Sequence, residues 1–583
     1  MSVQLSMEAT QSKEALRQKL LQPDVISGSE ILLRSLLLEG VDCVFGYPGG
    51  AVLYIYDAMH GNKDFNHLLT RHEQGAIHAA DGYARSTGKV GVCIATSGPG
   101  ATNLVTGIAT AYMDSVPLVV ITGNVAKPFI GTDAFQEADI TGITMPITKH
   151  SYLVREVEDL PRIIHEAFHI ANTGRKGPVL IDIPKDVSNH TTKFYYPETV
   201  NIRGYKPSMA VDEKQIDDLL QAITEAERPL ILAGGGVVYA NASEELVEFV
   251  NKTQIPITTT LLGLGGFPSG HELWTGMPGM HGTYTSNHAL QHADLIISIG
   301  SRFDDRVTMK LDGFAPNAKA IAHIDVDPAE IGKNVKVDYP VLGDIKAVLR
   351  AANPKAKPAK SQAWIAKLAD LKTAYPLKYK DSDEELKPQF VIEMISETTN
   401  GEAIVTTDVG QHQMWAAQFY KFKHPRSMVT SGGLGTMGFG FPSAVGAQMG
   451  NPDKLVVSIN GDGGMQMCAQ ELAVCAINNI PVKVVIINNQ VLGMVRQWQE
   501  IIHGNRYSHI DLAGSPDFVK LAEAYGVKGL RATNKEEARR AWQEALDTPG
   551  PVVIDFVVRK EENVFPMVQA GTTISDMIMG DSE

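Results

Sequence analysis

Short apolar runs alternate with helix-like segments along most of the chain. The first helix is predicted near Ile26–Glu30, where Ser27 or Ser29 is expected to cap it. Strands that alternate with helices in this way predict parallel α/β sheets. The predicted strands are Cys43–Phe45, Val90–Ile94, Pro117–Ile121, Leu230–Ala233, Ile257–Thr259, Leu295–Ser298, Ala322–Val326, Leu455–Ile459 and Val482–Ile487.

Two breaks in this pattern divide the chain. The segment Phe194–Pro207 is polar, and Ala352–Pro358 is rich in Pro, Lys and Ala. Single cores stop growing at about 250–300 residues, so a chain of this length predicts several domains. The expected parts are an N-terminal extension 1–24, domains 25–195, 205–350 and 386–558, a linker 351–385 and a C-terminal tail 559–583. The tail is interpreted as a mobile lid or a frayed end.

The first and third domains resemble each other at an offset of 364, the difference between Val90 and Lys454. At this offset the turn Ser97–Gly100 falls on Gly461–Gly464, and Asn124 falls on Asn488. The same strand, glycine turn, helix and strand therefore occur twice. Only the later copy has an aspartate in its turn.

The later copy has oxygen ligands after two neighbouring strands. Asp462 lies in the glycine turn that follows the first strand, and Asn489 follows the second. Parallel strands end at the same edge of a sheet, so these side chains are expected to approach a common point. A carboxylate, an amide oxygen and backbone N–H groups at a helix start suit a diphosphate with a divalent cation, and Mg²⁺ fits best. A Gly-Asp-Gly turn alone is a weak signal.

Composition restricts the functional class. The net charge of -14 argues against a nucleic-acid or anionic-membrane partner. The four cysteines show no CxxC spacing, which favours buried thiols in a reducing compartment. No apolar run approaches the roughly 18 residues of a membrane span, and the N-terminus does not resemble a signal peptide. We therefore expect a cytoplasmic enzyme.

The Gly-Asp-Gly turn followed by Asn488-Asn489 resembles the signature of thiamine-diphosphate-dependent enzymes. In that family the aspartate, the second asparagine and a backbone carbonyl two residues later hold Mg²⁺, which implies Asp462, Asn489 and Val491. The resemblance implies cofactor contacts at Gln411, His412, Gly435, Met437, Gly461, Asp462, Gly463, Gly464, Asn489 and Met494.

The same resemblance assigns a role to Glu73 in the first domain. In the family a glutamate there hydrogen-bonds the aminopyrimidine ring, and a bulky apolar side chain, here Met437, bends the cofactor. Without the resemblance, an exposed ion pair of Glu73 with Arg71 or Lys89 is the simpler interpretation. The family builds its site across a subunit interface, which implies a homodimer or homotetramer.

Further motifs narrow the resemblance to the biosynthetic acetohydroxyacid synthases (acetolactate synthases), over nearly the whole chain. Arg306 ends the motif Gly300–Arg306, and the matching arginine lies at the substrate channel, where a guanidinium suits a 2-oxo acid carboxylate. A surface cluster of ion pairs is the alternative. Met494 and Trp498, which share a helix face, are the other two candidate substrate contacts. The tryptophan of similar enzymes favours 2-oxobutyrate over pyruvate, although core packing explains the spacing equally well.

Glycines in the central domain extend the resemblance to an FAD site. The run Gly234–Gly236 alone is a weak dinucleotide signal. Because the implied reaction transfers no net electrons, the FAD would be structural. The implied FAD contacts are Arg175, Gly234, Gly235, Gly236, Met280, His281, Gly282, Gly300, Ser301, Arg302, Asp325 and Asp344.

The resemblance implies a carboligase. Pyruvate would lose CO₂, and the remaining two-carbon unit would join a second pyruvate or 2-oxobutyrate, giving precursors of branched-chain amino acids. A small regulatory subunit is an expected partner. Gly50, Phe135, Gln136 and Lys185 match residues that line the reacting centre, although a polar loop and a surface lysine also explain Gln136 and Lys185. A pyruvate oxidase and a non-catalytic binding protein are the competing interpretations.

Overall fold

A computed structural model describes residues 14–207 and 210–580. They form two compact units: unit 1 contains the chain up to 206 together with 445–450, and unit 2 contains the rest. Residues 1–13 of the predicted extension, 208–209 of the predicted central domain and 581–583 of the predicted tail lie outside the described residues.

Unit 1 is built on a six-stranded parallel sheet with the order β3-β2-β4-β5-β7-β6. The short strands β1 and β8 pair separately, antiparallel. Its strands are β1 Val25–Ser27, β2 Cys43–Tyr47, β3 Asn66–Leu69, β4 Gly91–Ala95, β5 Leu118–Asn124, β6 His150–Leu153, β7 Pro178–Pro184 and β8 Thr191–Lys193.

Helices cover the sheet of unit 1 and bury an aliphatic core that includes Ile94, Val119 and Ile181. Ser27 caps helix Gly28–Leu38, as predicted: its hydroxyl accepts the N–H of Glu30, whose carboxylate accepts the N–H of Ser27 in return. The helices are Gly28–Leu38, Leu53–Met59, Glu73–Thr87, Pro99–Thr102, Val105–Asp114, Ile140–Thr144, Leu160–Asn172 and Lys185–Asn189.

Unit 2 contains a five-stranded parallel sheet in the order β10-β9-β11-β12-β13. Its strands are β9 Pro229–Ala233, β10 Ile257–Thr259, β11 Leu295–Ile299, β12 Ala320–Asp325 and β13 Tyr339–Leu342. Every strand predicted here from an apolar run is present, because such runs are typical of strands buried on both faces.

A six-stranded parallel sheet completes unit 2, in the order β15-β14-β16-β17-β19-β18. Its strands are β14 Ile404–Thr407, β15 Met428–Thr430, β16 Val456–Gly461, β17 Lys483–Asn488, β18 Lys528–Ala532 and β19 Val552–Val557. The strand order repeats that of unit 1, so the predicted duplication is confirmed. The predicted α/β class with three parallel sheets is confirmed as well.

The helices of unit 2 pack on both of its sheets. Among the described residues, no helix combines the length and the apolar character that a membrane span requires. The helices are Glu213–Glu225, Gly235–Tyr239, Ser243–Thr253, Tyr284–His292, Asp305–Thr308, Ile345–Ala352, Gln362–Ala374, Pro388–Thr398, Gln411–Phe419, Gly440–Gly450 (which ends in unit 1), Asp462–Gln466, Leu472–Asn478, Gly493–His503, Phe518–Ala524 and Lys535–Asp547.

The C-terminal segment packs into unit 2. Glu562 forms a 2.6 Å ion pair with Lys387, whose side chain is 4% exposed. Val564 and Val568 are fully buried, and Met567–Val568 pairs with Met577–Ile578 as strands β20 and β21. The frayed-end interpretation is therefore wrong for residues 559–580, because local periodicity does not reveal contacts with distant parts of the chain.

Candidate functional site

The carboxyl ends of β16 and β17 bring the predicted metal ligands to one edge. Gly461 pairs with Ile487 across the two strands, so Asp462 and Asn489 follow directly at the same end. The amide of Asn488 donates to Asp555 over 2.8 Å and is thereby used within the sheet. Asn489 is therefore the asparagine that is available as a ligand at this edge of the sheet.

The carboxylate of Asp462 has an oxygen without a hydrogen-bond partner. Asp462 is 2% exposed, and its Oδ2 accepts no hydrogen bond. Burial raises its pKa to about 7, with a smaller rise from Asp555, and backbone N–H groups including that of Gln490 oppose the shift. A buried unpaired carboxylate is costly to ionise, and a bound cation removes that cost. With an amide and a backbone carbonyl nearby, the donor set fits Mg²⁺.

A network of amides holds Asn489. Its Nδ2 donates to Oε1 of Gln411 over 3.2 Å, and its Oδ1 accepts the N–H of Val491 at 3.3 Å. Gln411 in turn donates to Oε1 of Gln497 at 2.9 Å and to the carbonyl oxygen of Glu562 at 3.0 Å. The Gln411 side chain is thus used inside the protein. It begins helix Gln411–Phe419, so its backbone lies at a helix N-terminus.

The glycine turn leaves no room for side chains. A Cβ on Gly461 would lie 2.9 Å from Nδ1 of His412, and one on Gly463 would lie 3.0 Å from Leu492. A Cβ on Gly464 would overlap the carboxylate of Asp408. Nε2 of His412 is buried without a partner, and burial lowers the pKa of His412 to about 4. A buried imidazole nitrogen without a partner, beside a helix start, fits a site that holds a diphosphate.

Asp408, which the sequence analysis missed, organises the neighbouring loop. It follows β14, and its Oδ1 accepts the N–H groups of Gly438 at 2.8 Å and Phe439 at 3.1 Å. Burial raises the pKa of Asp408 to about 6. The two hydrogen bonds hold the end of the loop that carries Gly435 and Met437. No sequence signal pointed to this residue.

In unit 1, Glu73 has an amide partner. Its Oε2 accepts a hydrogen bond from Nδ2 of Asn103 at 3.0 Å, and its Oε1 would lie 3.3 Å from a Cβ on Gly100. Lys89, the ion-pair partner considered from the sequence, pairs with Asp42 instead. Asn103 was also missed, although the offset of 364 places it opposite Met467.

Two of the other predicted reacting-centre residues, Gly50 and Lys185, also come after strands of unit 1. Gly50 begins a short turn after β2. Lys185 begins a helix after β7, with Nζ 5.8 Å from the ring of Tyr54. Phe135 is 88% exposed. Gln136 has a φ of 59° and its carbonyl packs against Gly98 of the turn after β4. Lys185 thus directly follows the carboxyl end of β7 and Gly50 lies shortly after that of β2, whereas Phe135 and Gln136 belong to a loop.

Two of the predicted substrate residues, Arg306 and Trp498, border one apolar cluster in unit 2. Nη1 of Arg306 lies 4.0 Å from the sulfur of Met280. Trp498 packs against the cluster that contains Met280 and Val568. Met494, one turn earlier on the same helix, packs against a different cluster. Met494 and Trp498 therefore do not pack together into one apolar cluster.

Most predicted FAD contacts lie at the carboxyl edge of the five-stranded sheet. Gly234–Gly236 follows β9, Gly300–Arg302 follows β11, Asp325 ends β12 and Asp344 follows β13. The loops pack closely, since the N–H of Gly236 donates to the carbonyl of Gly300 at 3.1 Å. Parallel sheets bind dinucleotides at this edge, so the position fits.

The remaining predicted FAD contacts, Met280, His281, Gly282 and Arg175, belong to other segments of the chain. His281 is 5% exposed, and burial lowers its pKa to about 4; it lies between Met280 and Gly282 in unit 2. Arg175 belongs to unit 1, where its Nε donates to the hydroxyl of Ser115 at 2.9 Å. At the sheet edge itself, the carboxylate of Asp344 accepts the N–H of Ala347 at 2.9 Å and caps a helix.

Comparisons with known proteins agree along the chain. Residues 26–143, 216–352 and 408–556 match the N-terminal TPP binding, central and C-terminal TPP binding domains of thiamine pyrophosphate enzymes. The acetolactate synthase large subunit of Corynebacterium glutamicum is 50% identical over 99% of this chain and 94% of its own length. That of Lactococcus lactis is 48% identical, over 95% and 96%. Acetolactate synthase 2, chloroplastic, of Nicotiana tabacum is 46% identical, over 98% and 88%.

Proposed function

Because the chain belongs to the thiamine pyrophosphate enzymes, and within them to the acetolactate synthases, we propose residue roles in that reaction. Pyruvate is decarboxylated, and the remaining two-carbon unit joins a second pyruvate or 2-oxobutyrate to give acetolactate or acetohydroxybutyrate. These products lead to branched-chain amino acids. The observation that carries the roles is the buried, unpartnered Oδ2 of Asp462 beside Asn489.

We assign the cation and diphosphate to the edge of the six-stranded sheet in unit 2. Asp462 Oδ2, Asn489 Oδ1 and the carbonyl of Val491 would hold Mg²⁺. His412 Nε2 and the N–H groups of the turn Gly461–Gly464 would donate to diphosphate oxygens. Ionisation of Asp462 becomes favourable once the cation is present, so metal binding and proton release from this carboxyl are coupled.

Glu73 is the proposed acid-base group at the aminopyrimidine. Oε1 would hold the proton shared with the ring, while Asn103 occupies Oε2. Bound thiamine diphosphate supplies the electron sink for decarboxylation. Met437 would press on the cofactor from the loop held by Asp408, and Gly435 would accept a hydrogen bond from its amino group.

Substrate selection is assigned to unit 2. Arg306 offers a guanidinium for the carboxylate of the second 2-oxo acid, and Trp498 would contact the extra methyl group of 2-oxobutyrate. One methylene is worth only about 1–3 kcal/mol in a pocket, so this preference is expected to be partial. Gly50, Phe135, Gln136 and Lys185 would surround the reacting carbon and exclude water.

The assembly and the second cofactor complete the proposal. Glu73 and Asp462 lie in different units, and the family pairs such half-sites from two copies, so we expect a homodimer or homotetramer. FAD would bind structurally at the edge of the five-stranded sheet. Two of the relatives are named large subunits, which supports a small regulatory subunit as partner.

Product formation tests the proposed function. The purified chain with thiamine diphosphate, Mg²⁺ and FAD is expected to form acetolactate from pyruvate, and Asp462→Asn should lose this Mg²⁺-dependent activity. Acetate or acetyl phosphate, formed with stoichiometric bleaching of the flavin, would instead show an oxidase. If neither the chain alone nor its complex with a small subunit forms acetolactate, the proposed function is refuted.

A further inference from the structure

Glu73 and Asn103 form a hydrogen-bonded pair in unit 1. Nδ2 of Asn103 donates to Oε2 of Glu73 at 3.0 Å. Glu73 is the first residue of its helix, and Asn103 follows helix Pro99–Thr102, whose last turn it closes with its backbone N–H. Any residue except proline could supply that backbone bond. The side-chain amide is therefore available for Glu73 alone.

The duplicated domain shows what this amide is for. At the offset of 364, Glu73 falls on Met437 and Asn103 falls on Met467. Met467 lies beside the Met437 loop in unit 2, where its Cβ would be 3.2 Å from a Cβ on Gly438. The acid and the amide are thus replaced together by two methionines. The hydrogen-bonding pair occurs only in the copy that carries the acid.

A second asparagine pair behaves differently and serves as the comparison. Asn124 donates to Asp182 at 2.5 Å in unit 1, and Asn488 donates to Asp555 at 2.8 Å in unit 2. Both pairs join the equivalent strands, β5 to β7 and β17 to β19. An asparagine that the fold needs is present in both copies. Asn103 is present in one.

We infer that Asn103 is a positioning residue for Glu73: its amide holds the carboxylate so that Oε1 is presented to the aminopyrimidine. This inference rests on the proposed role of Glu73. A glutamate side chain has many rotamers, and a donor on one oxygen fixes both its torsion and which oxygen is free. Asn103 itself needs no contact with the cofactor.

Two variants of similar size separate the effect of the hydrogen bond that Asn103 donates from the effect of its side-chain shape. Asn103→Asp keeps the shape but removes the donor and adds a like charge, and Asn103→Leu removes the donor without adding charge. Thr102→Val, at the exposed neighbouring residue, is the matched control. The readouts are exchange of the C2 proton of bound thiamine diphosphate with D₂O, thiamine diphosphate affinity by calorimetry, and the melting temperature.

Loss of a hydrogen bond to a charged group predicts exchange slower by about tenfold or more in Asn103→Leu. Asn103→Asp should be slower still, and Thr102→Val should match the wild type. Affinity and melting temperature should change little, because the diphosphate is held by unit 2. Wild-type exchange in either Asn103 variant would overturn the inference, as would a loss of affinity that fully accounts for the slower exchange.

Glu73→Gln separates this inference from the proposed function. If Glu73→Gln also exchanges at the wild-type rate, the proposed role of Glu73 fails. If Glu73→Gln is slow and either Asn103 variant exchanges at the wild-type rate, only the positioning role fails. Should Asn103→Asp not fold, Asn103→Leu decides the question by the same measurements.

Discussion

The side-chain amide of Asn489 donates to Oε1 of Gln411 over 3.2 Å. Because Nδ2 of Asn489 is directed at Gln411, the amide oxygen Oδ1 faces away from Gln411. Oδ1 is therefore the end of the amide that is available to a cation. Gln411 cannot rotate freely, because its own amide donates to Gln497 and to the carbonyl of Glu562. The orientation of a proposed metal ligand thus depends on the C-terminal segment.

Gln411→Leu is expected to weaken Mg²⁺ binding. Groups that orient metal ligands typically account for about 10–100-fold in affinity. Calorimetric titration of Mg²⁺ in the presence of thiamine diphosphate measures the effect, with Gln499→Leu as control, since Gln499 bonds to Ser508. Equal Mg²⁺ affinity in Gln411→Leu and the wild type would show that Asn489 is held by other contacts.

The ion pair between Lys387 and Glu562 is expected to anchor the C-terminal segment. Removing one partner of a buried pair leaves an uncompensated charge and costs about 3–5 kcal/mol. Lys387→Met should therefore lower the melting temperature more than the double variant Lys387→Met with Glu562→Gln. Melting curves of both variants and the wild type test this order. A double variant less stable than Lys387→Met would contradict it.

Local patterns predicted the parts of the site that local sequence determines. The ends of β16 and β17, the glycine turn and the two asparagines are contiguous signals, and the structure has them within a residue or two of the predicted limits. The contact of Gln497 with Val564 spans 67 residues. Asp408 has no motif around it. Such contacts depend on packing between distant segments, which periodicity does not encode.

The duplication contained more information than the strand patterns did. The offset of 364 placed Glu73 opposite Met437, and the same offset applied to Asn103 would have revealed the second exchanged pair. Asn124 and Asn488 also correspond, and the structure adds their aspartate partners, Asp182 and Asp555. The aspartates do not follow the same offset, because the chain between β5 and β7 differs in length from that between β17 and β19.

Asp182 is expected to make stability depend on pH. Burial raises its pKa from 3.8 to about 7, with a smaller rise from Asp139, while hydrogen bonds from Thr122 and Asn124 lower it. The folded state therefore binds a proton that the unfolded state releases above about pH 4. The stability contribution of this carboxyl is fully present below that pH and is lost as the pH rises through 7. Its upper limit is about 4 kcal/mol.

Asp182→Asn isolates this contribution. The melting temperature of the wild-type apo-protein should fall between pH 5 and pH 8. That of the variant should fall less, so the variant should become more stable relative to the wild type as the pH rises. Asn124→Ala is the companion variant, because it removes a donor to Asp182 without removing the carboxyl. A constant difference between Asp182→Asn and the wild type across this range would contradict the prediction.

Trp498 provides the last prediction, which concerns the choice of the second substrate. Trp498 packs against the cluster that includes Met280, next to Arg306, whereas Met494 packs elsewhere. Trp498→Leu should reduce the preference for 2-oxobutyrate by about 10–100-fold, the range expected for one lost methyl contact, while acetolactate formation continues. The ratio of the two products in a mixed-substrate assay measures this. Val495→Leu, at an exposed position of the same helix, should keep the wild-type ratio. If Trp498→Leu keeps the ratio and lowers only the melting temperature, Trp498 is a packing residue.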